Sequence, residues 1–243
     1  MSANRGRYTK GKDVAGICSF STALPGWAAA LGACGGPRAA PRDRLVSFVG
    51  GGLGAVRQGL FAHFAQQPWP ELLVVRRHLA PKEYMRVLLT SKFCLVSACA
   101  VLAHLAFTTS HTASSDAVHV TPQHVRGTQV QSPRIVEILL FGCVPVVMAD
   151  TYDLPLSDVL DWRAFSVRVP QGDPGALPAA LAAADYETLR RGVCAVAPFF
   201  AYHAKPQPGD AFYMTMLQLS RRLQAASQRP GCGLNATERV LLR

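Results

Sequence analysis

The stretch RLVSFVGGGLG, residues 44–54, is an apolar run that stops at a cluster of glycines. A helical pattern follows it to about Gln67 and ends before Pro68. Glycines between a strand and a helix allow the tight turn with which a Rossmann-like unit begins. We therefore expect a strand over Arg44 to Val49 that leads directly into a helix.

The same alternation of strand and helix patterns continues along the chain. A second strand is predicted at Leu72 to Arg76, a second helix at Lys82 to Thr90 and a third strand at Lys92 to Val96. This order predicts an α/β fold, a Rossmann-like parallel sheet with flanking helices. The later elements we expect are a helix over 132–142, a buried strand over 143–149, a short helix from 154, a strand over 165–169 and helical segments in 175–203 and 210–228.

The chain is long enough for one principal domain, at 243 residues. We expect an irregular lead-in over 1–43, a single lobe over 44–228 and a loose tail over 229–243. Residues 97–125 are rich in Ala, Ser, Thr and His and lack periodicity. A loop of that length is unusual inside a compact domain, so this segment is predicted to be an atypical insertion, either genuine or a translated intron.

The net charge of +10 favours anionic partners such as phosphates, nucleotides or acidic glycans. The positive charge is scattered as single arginines without aromatic interleaving, which argues against a nucleic-acid-binding module. The seven cysteines show no metal-ligand spacing, and Cys94 and Cys143 are predicted to be small core residues. No signal peptide is visible in residues 1–12, and the longest apolar tract, 93–107, is too short to span a bilayer.

Two polar side chains at one predicted helix start suggest a binding site. Arg134 lies in the first turn, where the helix dipole disfavours a cation unless an anion lies above it. Glu137 follows at i+3, on the same face, where its carboxylate could accept hydrogen bonds from a ribose. The alternative is an intrahelical Arg–Glu ion pair on a solvated face, although this order of charges is the less favourable one.

The glycine cluster allows a second interpretation. Gly50, Gly52 and Ala55 fit the G-x-G-x-x-A pattern of dinucleotide-binding folds, and Arg76 and Arg77 would suit a 2′-phosphate, as in an NADP-dependent oxidoreductase. A plain flexible turn would also explain the glycines. Arg57, just inside the following helix, is a better phosphate candidate for the same dipole reason as Arg134.

Several segments, in this order, resemble the core of the exostosin-like glycosyltransferases of family 47. They are SKFCLV at 91–96, SPRIVE at 132–137, FGCVPVV at 141–147, and LPLSDVLDW at 154–162 followed by FSV at 165–167. GKDV at 11–14 and CSF at 18–20 are similar to the lead-in of that family. The resemblance implies a GT-B architecture, of which this chain would carry mainly the C-terminal, nucleotide-sugar-binding lobe.

By that resemblance, Arg57 and Arg134 would hold a diphosphate, Glu137 the ribose, and Ser132 would add a hydroxyl to the phosphate site. Asp150 and Asp153 would lie near the donor sugar, while the catalytic base remains unassigned. The family transfers a sugar from a UDP-sugar to a glycan or glycoprotein acceptor with inversion. Arginines and helix ends can stabilise the UDP leaving group, so no metal or other cofactor is expected.

The resemblance also leaves alternatives open. Family members carry an N-terminal lobe and a membrane anchor and reside in the Golgi, and most of the acceptor site would belong to that other lobe. The chain would then be either a glycosyltransferase, in a truncated form, or an inactive UDP-sugar-binding remnant. In the second case it would act through a partner such as a second glycosyltransferase subunit.

Overall fold

The computed structural model describes residue 34 and residues 41–51, 54–97, 134–150 and 153–227. Strands and helices alternate through most of this part of the chain. The strands are β1 (Arg44–Val49), β2 (Leu72–Val75), β3 (Ser91–Ser97), β4 (Val144–Met148) and β5 (Val167–Arg168). The helices are α1 (Ala55–Gln66), α2 (Pro81–Thr90), α3 (Arg134–Leu140), α4 (Leu177–Ala182), α5 (Tyr186–Val196) and α6 (Ala211–Ser227).

The five strands form one parallel sheet in the order β2-β1-β3-β4-β5. The predicted α/β fold with a parallel sheet is therefore confirmed. The connection from β1 to β2 runs in one direction along the sheet, and the next connection returns past β1 to β3. Because such crossovers are right-handed, α1 covers one face of the sheet and α2 and α3 cover the other. The strand order thus reverses between β1 and β3, where ligands bind in open α/β sheets.

The strands at the centre of the sheet are apolar and buried. All five residues of β4 are buried, as are all of β3 except Lys92. Strands covered by helices on both faces must be apolar throughout, as these sequences are. The core also includes the inner residues of α3 and the side chains of Leu154, Leu156 and Trp162.

Two predicted elements differ in the structure. The segment from Leu154 forms turns instead of a short helix, because Leu156 adopts a φ of 58°. That left-handed conformation is costly for a branched side chain, but Leu154 and Leu156 are completely buried and the indole of Trp162 donates to the carbonyl of Pro155. The last strand is also shorter than predicted, since only Val167 and Arg168 pair with β4.

The structure pairs four cysteines that the sequence left unpaired. Cys94 and Cys143 are core residues, as predicted, and they also form a disulfide between β3 and the residue before β4. A second disulfide joins Cys34 to Cys194 on α5. Disulfides form and persist mainly in oxidising compartments, and these two bonds are therefore expected to form only if the chain folds in one.

Helix α6 has an unusual distribution of side chains. Its inward face carries Gln218 and Arg222, both of which donate to the carboxylate of Asp158. Its outward face is apolar, with Phe212 and Met216 exposed by 46% and 49%. None of the helices among the described residues is both long and apolar enough to cross a membrane.

The predicted division of the chain into a lead-in, a lobe and a tail stays a prediction. Position 97, predicted as the first residue of the insertion, is instead the last residue of β3. The rest of 97–125, the tail at 229–243 and most of the lead-in lie outside the described residues.

Candidate functional site

Arg57 lies in the first turn of α1 and is buried at the carboxyl edge of the sheet. Its Nε donates to the hydroxyl of Ser97 at 3.0 Å, and Nη1 donates to the carbonyl of Gly51 at 3.4 Å. The guanidinium also stands 6.0 Å from the centre of the Phe48 ring. Arg57 therefore connects the ends of β1 and β3 at the point where the strand order reverses.

Arg134, the first residue of α3, reaches the same edge. A Cβ atom added to Gly50 would come within 2.7 Å of its Nη1 atom and 3.1 Å of the Phe48 ring. Glycine at position 50 thus makes room for the Arg134 guanidinium at the end of β1. The two arginines approach the carboxyl end of β1 from α1 and α3, the helices on opposite faces of the sheet.

The guanidinium of Arg134 makes no hydrogen bond or ion pair with another residue in the part of the chain that the structure describes. The intrahelical ion pair with Glu137 is therefore not formed. Glu137 instead accepts a hydrogen bond through Oε2 from the hydroxyl of Tyr84 on α2. Tyr84 and Arg134 line one small recess against β1 and β3.

The surroundings of this pair change the acidity of both groups. Burial raises the pKa of Glu137, and the hydrogen bond from Tyr84 and the charge of Arg134 offset this in part. Burial also raises the pKa of Tyr84, as does the neighbouring Glu137. Tyr84 is consequently a hydrogen-bond donor over the whole physiological pH range.

The two predicted donor-sugar residues follow β4 at the same edge of the sheet. The exposed carboxylate of Asp150 accepts hydrogen bonds from the backbone N–H of Gln171 at 3.2 and 3.3 Å. Asp153 is half-buried. Ser132 lies outside the described residues, so its predicted part in the phosphate site stays a prediction. In the described ranges, no three His, Cys, Asp or Glu side chains gather in a metal-binding cluster.

The arginines that suggested an NADP site are engaged elsewhere. The guanidinium of Arg76 stacks over Phe61, 4.6 Å from the ring centre. Arg77 pairs with Glu83 at 2.6 Å. Gly50 faces Arg134, and Gly54, with a φ of 100°, ends the turn before α1. Gly50 is thus explained by the space that Arg134 needs, and Gly54 by the turn before α1.

Sequence reasoning missed two residues of this site. Ser97 was assigned to the insertion, although a hydroxyl that ends an apolar strand run is a signal for the polar edge of a sheet. Tyr84 gave no signal, because its partner Glu137 is 53 positions away and the contact depends on how α2 and α3 pack.

Part of the chain, including much of the candidate site, matches a known family in sequence. The sequence model of the Exostosin GT47 domain matches residues 123–184, which include Arg134, Glu137, Asp150 and Asp153.

Curated relatives match over a longer part of the chain. Two probable glycosyltransferases of Arabidopsis thaliana are each 30% identical to it, over 73% and 76% of its length. A probable glucuronosyltransferase of Oryza sativa is 36% identical over 38% of this chain and 23% of its own. The chain spans about a third of the length of the two Arabidopsis proteins, 32% and 31%.

Proposed function

This chain is related to the exostosin-like GT47 glycosyltransferases, and from that premise we propose that it provides the donor-binding lobe of an inverting glycosyltransferase. The donor is a UDP-sugar and the acceptor a glycan or glycoprotein. The nucleotide binds at the carboxyl edge of the sheet, in the crevice between β1 and β3.

The observation that carries this proposal is that Arg57 and Arg134 both reach the carboxyl end of β1, where the strand order reverses. Arg57 is held by hydrogen bonds to Ser97 and Gly51, whereas the Arg134 guanidinium makes no hydrogen bond or salt bridge with a described residue. Arginines suit a diphosphate because the planar guanidinium donates two parallel hydrogen bonds to phosphate oxygens. A diphosphate between them would satisfy Arg134 and complement the positive charge of this edge.

In this proposal Glu137 binds the nucleoside. Its Oε1 atom accepts no hydrogen bond from the described residues, while Oε2 is held by Tyr84. An ionised carboxylate has only acceptor sites and therefore suits the hydroxyl groups of a ribose.

The same arginines would support the chemistry. As the bond between the sugar and the β-phosphate breaks, negative charge accumulates on the phosphate oxygens that Arg57 and Arg134 contact. Fixed cations at that position stabilise the leaving group without a divalent ion. Asp150 and Asp153 follow β4 on the same edge and would contact the donor sugar, and the catalytic base that accepts the acceptor's proton remains unassigned.

A second candidate function is an inactive UDP-sugar-binding chain that acts through a partner, such as a second glycosyltransferase subunit. The two candidates differ in turnover. Release of free sugar or transfer to an acceptor supports the enzyme, and UDP binding without turnover supports the partner-dependent form.

We also propose the Golgi lumen as the site of action. The two disulfides support an oxidising compartment. The test is the redox state of the cysteines in chain isolated from cells, determined by mass spectrometry after thiol blocking. Four free thiols at positions 34, 94, 143 and 194 would argue against a lumenal location.

The donor site is tested by calorimetric titration of the chain with UDP. The wild type should bind, and Arg134→Ala should weaken binding by more than tenfold, because a charge-assisted hydrogen bond contributes about 1.5–3 kcal/mol. Arg86→Ala is the matched control, since Arg86 is an exposed arginine of α2. A folded wild type that does not bind UDP, or equal affinities for wild type and Arg134→Ala, would refute the proposed site.

A further inference from the structure

We propose that Tyr84 is a positioning residue for the nucleotide: its hydroxyl holds Glu137 in the orientation that binds ribose hydroxyls, and so favours ribonucleotides over 2′-deoxyribonucleotides. This inference rests on the proposed function, because it assigns a role to a residue beside the same site. It concerns a contact between α2 and α3 that neither helix could form alone.

The geometry of Tyr84 suits this role. Tyr84 stands in the first turn of α2 and Glu137 in the first turn of α3, so both side chains lie near the carboxyl edge of the sheet. The phenol is half-buried and lines the recess beside Arg134. Packing on one side restricts the ring, and the hydrogen bond to Glu137 fixes the direction of its hydroxyl.

One hydrogen bond from Tyr84 holds the Glu137 carboxylate and leaves its second oxygen able to accept others. The phenol donates to Oε2, and no described residue donates to Oε1. A free glutamate has several rotamers, and freezing one of them on binding costs free energy. By holding the carboxylate in place beforehand, Tyr84 lowers that cost and fixes where Oε1 meets the ribose.

Glu137 would otherwise be poorly suited to bind ribose as an anion. Burial raises its pKa, and the groups facing it that oppose this effect are the Tyr84 hydroxyl and the Arg134 guanidinium. Removing the Tyr84 hydroxyl would raise the pKa of Glu137 further, and the carboxylate would then be protonated at a higher pH. A protonated carboxyl is a weaker acceptor, so binding of the nucleotide should become more sensitive to acid.

The experiment compares the wild type, Tyr84→Phe, Tyr186→Phe and Glu137→Gln by calorimetry with UDP and 2′-deoxy-UDP, from about pH 5 to pH 8. Tyr186→Phe is the matched control because Tyr186 is a half-buried tyrosine on α5 that packs against Phe93 and Lys92. Glu137→Gln gives the baseline for the titration of UDP itself, since phosphate groups titrate near pH 6. Thermal unfolding of each variant tests whether the fold is intact.

In Tyr84→Phe we expect UDP affinity near neutral pH to fall about three- to tenfold, because the Glu137 side chain must then be ordered on binding. The preference for UDP over 2′-deoxy-UDP should narrow, and the midpoint for loss of binding in acid should move to higher pH. Tyr186→Phe should behave as the wild type.

Three outcomes would overturn the inference. A Tyr84→Phe variant with an unchanged pH midpoint and an unchanged preference would overturn it, even if its melting temperature were lower. Equal changes in Tyr84→Phe and Tyr186→Phe would also overturn it. No UDP binding by the wild type would overturn the proposed function and this inference together, whereas the first two outcomes leave the proposed function intact.

Discussion

Arg42 should stabilise the lobe without taking part in nucleotide binding. Its guanidinium donates to the carbonyls of Leu88 at 2.8 Å, Ser91 at 2.5 Å and Phe141 at 2.5 Å. These carbonyls lie near the end of α2, at the start of β3 and just after α3. One side chain therefore joins three elements at the amino edge of the sheet, opposite the candidate site.

The size of the effect follows from these bonds. Each hydrogen bond from a charged donor contributes about 1.5–3 kcal/mol before the cost of burying the guanidinium. Burial opposes them, and it lowers the pKa of Arg42 to about 10. We estimate a net loss of about 3 kcal/mol for Arg42→Ala, because the substitution also leaves buried carbonyls without a donor. For a chain of this size that loss lowers the melting temperature by about 6–12 °C.

The assay is urea unfolding and scanning calorimetry of Arg42→Ala beside Arg86→Ala, which removes an exposed arginine. Calorimetric titration with UDP well below the melting temperature should give equal affinities for Arg42→Ala and the wild type. A loss of stability below about 0.5 kcal/mol, the usual range for surface substitutions, would refute the assigned role. If fully folded Arg42→Ala bound UDP much more weakly than the wild type, Arg42 would also affect nucleotide binding at the carboxyl edge of the sheet.

Three further predictions concern the candidate site. Gly50→Ala should weaken UDP binding about three- to tenfold, because the added Cβ would displace Arg134. Gly51→Ala is the control, because a Cβ there meets nothing within 4 Å. Equal UDP affinities of the two variants, measured by calorimetry, would count against the placement of Arg134. Arg57→Lys keeps the charge but cannot reproduce the contacts of the guanidinium, so we expect at least a tenfold loss of UDP affinity in the same titration, and an unchanged affinity would contradict the proposal. Burial raises the folded-state pKa of Glu137 above its unfolded value, so the stability that it contributes at acid pH is lost as pH rises through the folded pKa. In Glu137→Gln, urea unfolding at a series of pH values should show a weaker fall in stability from acid to neutral pH, and an identical slope would contradict the assigned burial.

The order of the fold could be predicted because its signals are local. Apolar runs such as those at 91–97 and 144–148 stop at residues that end strands, and the glycines at 50–54 mark the turn to α1. The segment after Leu154 was predicted wrongly because its conformation is set by tertiary packing. Burial of Leu156 compensates for a φ of 58°, and no local pattern reports that.

The candidate site could be predicted only in part, for a similar reason. Arg57 and Arg134 are recognisable from sequence because a cation in the first turn of a helix opposes the dipole. Their partners could not be predicted, since Arg57 meets Ser97 across 40 positions and Tyr84 meets Glu137 across 53. Arg42, assigned to an irregular lead-in, reaches Phe141 across 99 positions. Such contacts arise from the order of strands in the sheet, which periodicity does not determine.

We propose that the crevice between β1 and β3 holds a nucleoside diphosphate. The most direct test of this proposal is a titration of ¹⁵N-labelled chain with UDP, followed by amide chemical shifts. We expect the largest changes at Gly50, Gly51, Ser97 and Arg134, with little change at Arg42 and Tyr186 on the opposite edge. Changes that cluster away from the ends of β1 and β3, or no changes in a folded chain at millimolar UDP, would contradict it.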